Sequence, residues 1–308
     1  MRTEAISPLT VVVSGATGLI GTALVSRLRA QGHTVRRLVR DVRLVQPGDI
    51  VWDPSRDTLD LRALAGSDAI VHLAGSPIAV RWTEERKREI RASRLRSTEL
   101  IARSVAALDV KPRVMLSGSA VGYYGDRGDE LLNERSAPGV DFLGSLAREW
   151  EAATAPITDA GVRVVLLRTG IVLSTQGGAL AKLLPPFHLG LGGPIGSGRQ
   201  WMSWIALDDQ VRAMEHALFT DSMQGPVNLS APNPVTNAEF VTTLGRVLGR
   251  PAVLPLPAFA VELLYGEMAR ATILAGQRAV PAALVSAGFA FRWPTLEEAL
   301  RSITAERG

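Results

Sequence analysis

Cysteine is absent from the 308-residue chain. Disulfides, thiolate catalysis and cysteine-held metals are thereby excluded. Histidine is scarce: His33, His72, His188 and His216 are scattered, with no metal-ligand spacing among them, so no metal site is expected. No apolar run reaches the ~18 residues that a membrane span needs. The stretch MRTEAISPLT, residues 1–10, lacks the apolar core of a signal peptide. Charge of one sign is also in short supply, at a formal +4. The densest arginine stretch, RWTEERKREIRASRLR, interleaves acidic residues and reads as a solvated helix face rather than a nucleic-acid surface. These absences predict a soluble, cytoplasmic protein with neither nucleic acid nor membrane as partner.

What is present is apolar sequence in short, punctuated runs. Nearly half the residues are hydrophobic, at 46%, enough for a sizeable core. Val11–Val13 form a β-branched run, glycines follow, and Leu19, Ile20, Ala23, Leu24 and Leu28 recur at helical spacing until Gly32. HTVRRLVR reads as a second strand. The alternation continues through DIVWD, DLRALAGSD, AIVHLAG, a long helix from about Thr83 to Leu108, RVMLSGS, FLGSLAREWEAATAPI and VRVVLLRTG. Strands alternating with helices imply an α/β fold, a doubly wound parallel sheet covered on both faces. The expected boundaries are 8–232 for this domain, with a Gly/Pro-rich cleft loop at 170–204, and 233–308 for a smaller substrate-side lobe.

SGATGLIG sets Gly15, Gly18 and Gly21 between the first strand and the first helix. Bare glycines there admit a pyrophosphate, and the helix N-terminus offers free N–H groups and a positive dipole end. The spacing is G-x-x-G-x-x-G rather than G-x-G-x-x-G, and packing alone is the competing reading. Thr17, Leu19 and Ile20 belong to the same turn. At the end of the second strand, where an acid usually meets a ribose hydroxyl, stands Arg40, which suits a 2′-phosphate and hence NADP(H). Arg36 and Arg37 are candidate assistants, and Asp41 is expected to face solvent. Asp53 is a candidate acceptor for an adenine amino group, and Leu73, Ala74 and Gly75 form the edge over which the cofactor passes. His72 reads as a core histidine.

GATGLIG, DAIVHLAG and LSGSA with YG, in this order, resemble the extended short-chain dehydrogenase/reductase superfamily. GYYGD, FLGSLAREWE, RTGIVLS, LGLGGPIGSGRQWMSWI and LPLPAFAVELLYGEMA narrow the likeness to the atypical epimerase-family proteins of the bacterial YfcH type, with their characteristic C-terminal domain in AGFAFRWPTLEEAL. The resemblance implies a Rossmann-like core, NADP(H) binding and oxidoreductase or epimerase-like chemistry on a small molecule. It does not name the reaction.

The superfamily carries out proton transfer with a serine, a Tyr-x-x-x-Lys pair and an upstream asparagine. Here Ser119 falls on the serine, Leu143 on the tyrosine, Ala147 on the lysine and Arg94 on the asparagine. Tyr123 and Tyr124 are the candidate substitute proton donors, without a lysine in their segment to lower their pKa, and substrate packing or loop structure is the competing reading. Arg94 is placed to polarise an oxyanion or bind a carboxylate or phosphate. Lys182, His188, Arg199 and Gln200 are further cleft candidates, and Arg199 beside Trp201 suits an anionic or aromatic substrate. Asp208 and Asp209 read as helix-capping acids. A non-catalytic dinucleotide sensor or regulator is the rival reading. The sequence leaves the assembly open, a homodimer among the options.

Overall fold

The computed structural model describes residues 7–305. Most of the N-terminal stretch read for a signal segment lies outside them. The first half of the chain runs β1 (Thr10–Ser14), α1 (Leu19–Ala30), β2 (Thr34–Val39), β3 (Ile50–Asp53), β4 (Thr58–Leu59), α2 (Leu61–Leu64), β5 (Ala69–His72), α3 (Glu84–Ala106), β6 (Val114–Ala120), β7 (Leu131–Leu132) and α4 (Phe142–Ala152). The second half continues as α5 (Ala155–Asp159), β8 (Arg163–Thr169), β9 (Ile171–Leu173), α6 (Gly178–His188), β10 (Trp201–Met202), β11 (Trp204–Ala206), α7 (Leu207–Phe219), β12 (Gly225–Leu229), β13 (Val235–Thr236), α8 (Asn237–Leu248), α9 (Ala258–Tyr265), β14 (Arg278–Ala279), α10 (Ala282–Ser286) and α11 (Leu296–Ala305).

Eight strands form one sheet in the order β12-β8-β6-β5-β1-β2-β3-β4. All pairs are parallel except β3 with β4, an antiparallel hairpin at the edge. The expected α/β, Rossmann-like doubly wound sheet is the one found. Its central strands are buried along their length because helices cover both faces. One face packs Leu24, Val25 and Leu28 of α1 with Val211 and Met214 of α7. The other packs Ile101 and Val105 of α3 with Trp52 and Ile157.

Local chemistry sets the helix ends. The Thr83 hydroxyl accepts from the Arg86 N–H at the start of α3, and the Asp141 carboxylate accepts from Gly144 N–H at the start of α4. A capping box of Thr236 and Glu239 opens α8, which closes on left-handed Gly249.

The strand order reverses between β1 and β5, and a crevice opens at their carboxyl ends. A second core lies beyond β12, where Leu180, Leu184 and Phe187 of α6 meet Phe240 and Leu244 of α8 and Leu300 of α11. The boundary expected at residue 232 is crossed at several places. Leu284 of α10 belongs to the core of the main sheet, β14 pairs with β7, and Asp209 of α7 accepts the Arg292 and Trp293 N–H groups, each at 2.9 Å. Asp209 thus caps the returning chain rather than its own helix. No helix among the described residues is long and apolar enough to cross a membrane.

Candidate functional site

The crevice is a cleft of about 300 Å³, lined by Gly15–Gly18 after β1, Leu38–Asp41 with Leu44 after β2, Trp52, and Leu73–Gly75 after β5. Its three glycines serve different ends. Gly15 has φ +68°, and a Cβ there would stand 2.8 Å from the Leu73 carbonyl carbon. A Cβ on Gly21 would lie 2.2 Å from the Gly15 oxygen. Both are therefore demanded by the chain's own packing. Gly18 is not: it has an ordinary φ of −78°, and a Cβ there would meet only the Gly15 oxygen, at 3.4 Å. As N-cap without a side chain it leaves the first turn of α1 uncapped. Leu19 and Ile20 do not line the cleft. Ile20 packs on the core and Leu19 faces Gly177 and Gly178, so their contribution to the turn is backbone.

The β5 edge is fixed by a buried relay. Leu73 and Ala74 N–H groups donate to Ser14 Oγ at 3.1 and 3.3 Å. Ser14 Oγ lies 2.6 Å from His72 Nδ1, and His72 Nε2 lies 3.1 Å from Ser97 Oγ. Ser97 in turn donates to the Ser93 carbonyl at 2.7 Å. With two N–H groups donating to it, the Ser14 hydroxyl gives its proton to Nδ1, which places the imidazole proton on Nε2. Burial, aided by the Arg94 charge, pushes the His72 pKa down to about 3. This histidine is a neutral core group, as expected.

At the end of β2, Arg40 is exposed, lines the cleft and makes no hydrogen bond or ion pair among the described residues. Arg37 is paired with Asp49, and Arg36 donates to the Ala65 carbonyl at 3.1 Å; neither assists Arg40. Asp41 borders the cleft, with Arg43 holding its carboxyl below the usual range. Asp53 is not among the lining residues, and its carboxylate accepts from Ser55 Oγ at 2.6 Å and Ser55 N–H at 2.9 Å, closing the β3–β4 turn. Trp52 and Leu44 wall the cleft there instead.

The segment after β6 departs further from expectation. Ser119 is buried and donates to Glu151 Oε1 at 2.6 Å. Arg168 of β8 grips the same carboxylate through Nε and Nη2, both at 2.8 Å. Arg168 Nη1 donates to Tyr124 Oη at 3.1 Å, and that hydroxyl donates to Asn228 Oδ1 at 2.7 Å. Burial pushes the Tyr124 pKa up to about 12. Tyr124 is therefore fixed in the core and unsuited to proton exchange. Tyr123 is half-buried, its ring 3.4 Å below the Arg168 guanidinium. A cation does stand beside both tyrosines, supplied by β8 rather than by their own segment.

Arg94 is also buried. Its Nη1 donates to the Ser76 and Ile90 carbonyls, each at 3.1 Å, and its guanidinium lies 5.1 Å from the Trp150 ring centroid. Burial brings its pKa down to about 10. No acid pairs with it among the described residues, and the space left by Gly75, where a Cβ would approach its Cζ to 3.1 Å, admits it beneath the cleft. Its role here is to brace the segment after β5.

The pattern of the NAD-dependent epimerase/dehydratase family matches residues 11–229. The chain belongs to that family. A domain of unknown function, DUF1731, matches residues 256–303. The chain is 46% identical to an epimerase family protein of Mycobacterium bovis, over 97% of this chain and 98% of that one. It is 39% identical to the human epimerase family protein SDR39U1, over 96% and 99%. A crystal structure of human SDR39U1, isoform 2, with NADPH superimposes with a TM-score of 0.87 at 37% identity, covering 96% of this chain and 99% of that one.

In this family member the α4 face expected to carry Tyr-x-x-x-Lys is apolar: Ala147 is buried, and Leu143 packs where a Gly122 Cβ would come within 3.5 Å of it. The polar residue α4 does deliver is Glu151, one turn beyond Ala147. Sequence reasoning missed Glu151, Arg168 and Asn228, yet a signal existed. An arginine inside the apolar strand VVLLRT needs hydrogen-bonding partners to stay buried, most favourably an acid, and Asn228 interrupts the buried strand GPVNL in the same way. The loop candidates do not assemble as expected. Lys182, His188 and Arg199 are exposed, and Gln200 donates to the Ile195 and Ile273 carbonyls. The cation over Trp201 is Arg278, at 4.2 Å, not Arg199.

Proposed function

We propose that this chain binds NADP(H) in the cleft at the β1/β5 switch, and that it is a cytoplasmic, YfcH-type oxidoreductase or epimerase-like enzyme acting on a small molecule. The observation that carries the cofactor assignment is Arg40. It is an unpartnered cation at the end of β2, in the same cleft as the uncapped N-terminus of α1. Gly18 supplies the fit: the chain itself has no need of a bare backbone there, whereas a pyrophosphate lying on it does. The human relative crystallised with NADPH supports the same reading.

The nicotinamide supplies hydride transfer when bound. Within the chain, the α1 N–H groups hold the pyrophosphate, Arg40 holds the 2′-phosphate, and Leu73–Gly75 form the edge beneath the ribose. The Ser119 hydroxyl already donates its hydrogen bond to Glu151, so it offers lone pairs and meets a donor, a hydroxyl or an amine, on the substrate. Tyr123 is the one hydroxyl of the pair left partly exposed to exchange a proton. A second reading, a dinucleotide sensor without turnover, is favoured by the commitment of Ser119, Tyr124 and Arg94 to internal bonds.

Calorimetric titration tests the cofactor site. NADPH binds more tightly than NADH, and Arg40→Asp removes the roughly ten- to hundred-fold preference that a charge-assisted phosphate contact supplies. Gly18→Val loses both cofactors while circular dichroism stays unchanged. Equal affinity for the two cofactors in the native protein refutes the Arg40 assignment. Adding metabolites to the NADPH-loaded protein and following reduced-nicotinamide absorbance separates enzyme from sensor.

A further inference from the structure

Half of the large apolar side chains that stand exposed among the described residues lie in two short segments, 189–191 and 253–265. The segments are neighbours in space. The Leu254 N–H donates to the Gly192 carbonyl at 3.0 Å, the Leu256 N–H donates to the Pro194 carbonyl at 2.9 Å, and Ile195 bridges Leu256 in parallel. This ribbon runs directly into α9. Of that helix only Val261 is buried. Phe259 is 73% exposed, Leu263 75% and Leu264 63%, and Val253 on the ribbon is 75% exposed. A surface helix normally turns its polar side outward; α9 has almost no polar side to turn.

At roughly 150–200 Å² for a fully exposed large side chain, these exposed fractions make an apolar face of roughly 900 Å². The largest patch on a typical monomer is about 300–600 Å², whereas one partner in a standard protein interface contributes about 800 Å². A lipid surface is a poor match, because the two arginines that flank the apolar run of residues 250–270 are balanced by two carboxylates, and membrane-surface helices carry a basic face. The edge of the face holds both signs of charge, Glu262 with Arg270 at 3.0 Å, as a self-complementary rim requires.

We propose that the α9 helix and the 189–196/251–258 ribbon form a face through which two copies of this chain associate. The dimer is isologous, α9 packing on its symmetry mate, with Phe259 and Leu263 at the centre where truncation costs most.

Sedimentation velocity of the full chain, from sub-micromolar to tens of micromolar, tests this. The native protein sediments as a dimer. Phe259→Glu with Leu263→Glu weakens association about a hundred-fold or more. Val110→Glu with Val140→Glu, exposed positions elsewhere on the surface, leaves the dimer intact. Circular dichroism and NADPH titration of each variant show that the fold persists. A native protein that is monomeric throughout overturns the proposal, as does a folded α9 variant that dimerises like the native protein. Co-sedimentation of a monomeric native protein with phosphatidylcholine/phosphatidylserine vesicles overturns it in favour of lipid.

Discussion

His72 carries the pH dependence that the cleft imposes on stability. Its pKa falls from 6.5 to about 3 on folding, so below pH 6.5 the unfolded chain binds a proton that the folded chain refuses. The stabilisation is complete above the unfolded value and is lost as the pH falls toward the folded one, by up to about 1.4 kcal/mol per pH unit. Urea unfolding at pH 7, 6 and 5 measures the slope. His72→Gln flattens it; an unchanged slope in the variant contradicts the buried neutral state. The same imidazole shows what was legible at this scale. An apolar run around His72 marks it as core, but its partners Ser14 and Ser97, 58 and 25 residues away, are invisible until the strands are in register. Asp53 is the opposite case: its bonds to Ser55 are local, two residues along the chain.

α4 shows the same division at the level of an element. Its start was readable, because Asp141 precedes an amphipathic run, and so was the loss of Tyr-x-x-x-Lys. Its end was not readable as function, because Glu151 matters only where β6 and β8 bring Ser119 and Arg168 against it. The pair is nearly dry, with side-chain exposures of 4% and 9%. Removing the acid strands a buried cation, so Glu151→Ala costs about 3–5 kcal/mol. The double variant Glu151→Leu, Arg168→Met removes both charges and is expected to be more stable than the single one. Chemical denaturation ranks the three proteins. A double variant weaker than Glu151→Ala means that the link to Ser119 and Tyr124, not charge compensation, is what the pair supplies.

Across the whole molecule, the parallel sheet followed from alternating strand and helix patterns, whereas its strand order is set by the fold. The weaving of the last quarter of the chain through the middle did not follow from them, because a two-residue strand such as β14 has no periodicity to read. Asp209 holds that weave together by taking two backbone N–H groups from residues 292 and 293 as well as Arg212. Asp209→Ala leaves those donors unpaired at a cost of about 2–4 kcal/mol. Limited proteolysis reads it as faster cleavage between residues 286 and 296, while NADPH affinity is retained; equal cleavage rates exclude the clasp.

The returning segment also sets an order of events on the ribosome. Leu284 completes the core under β12, and β14 pairs with β7, so a nascent chain that has emerged only as far as residue 275 has its nucleotide cleft assembled but the apolar patch under β12 uncovered. Such an intermediate offers bare apolar surface to a chaperone until residues 278–286 emerge and dock.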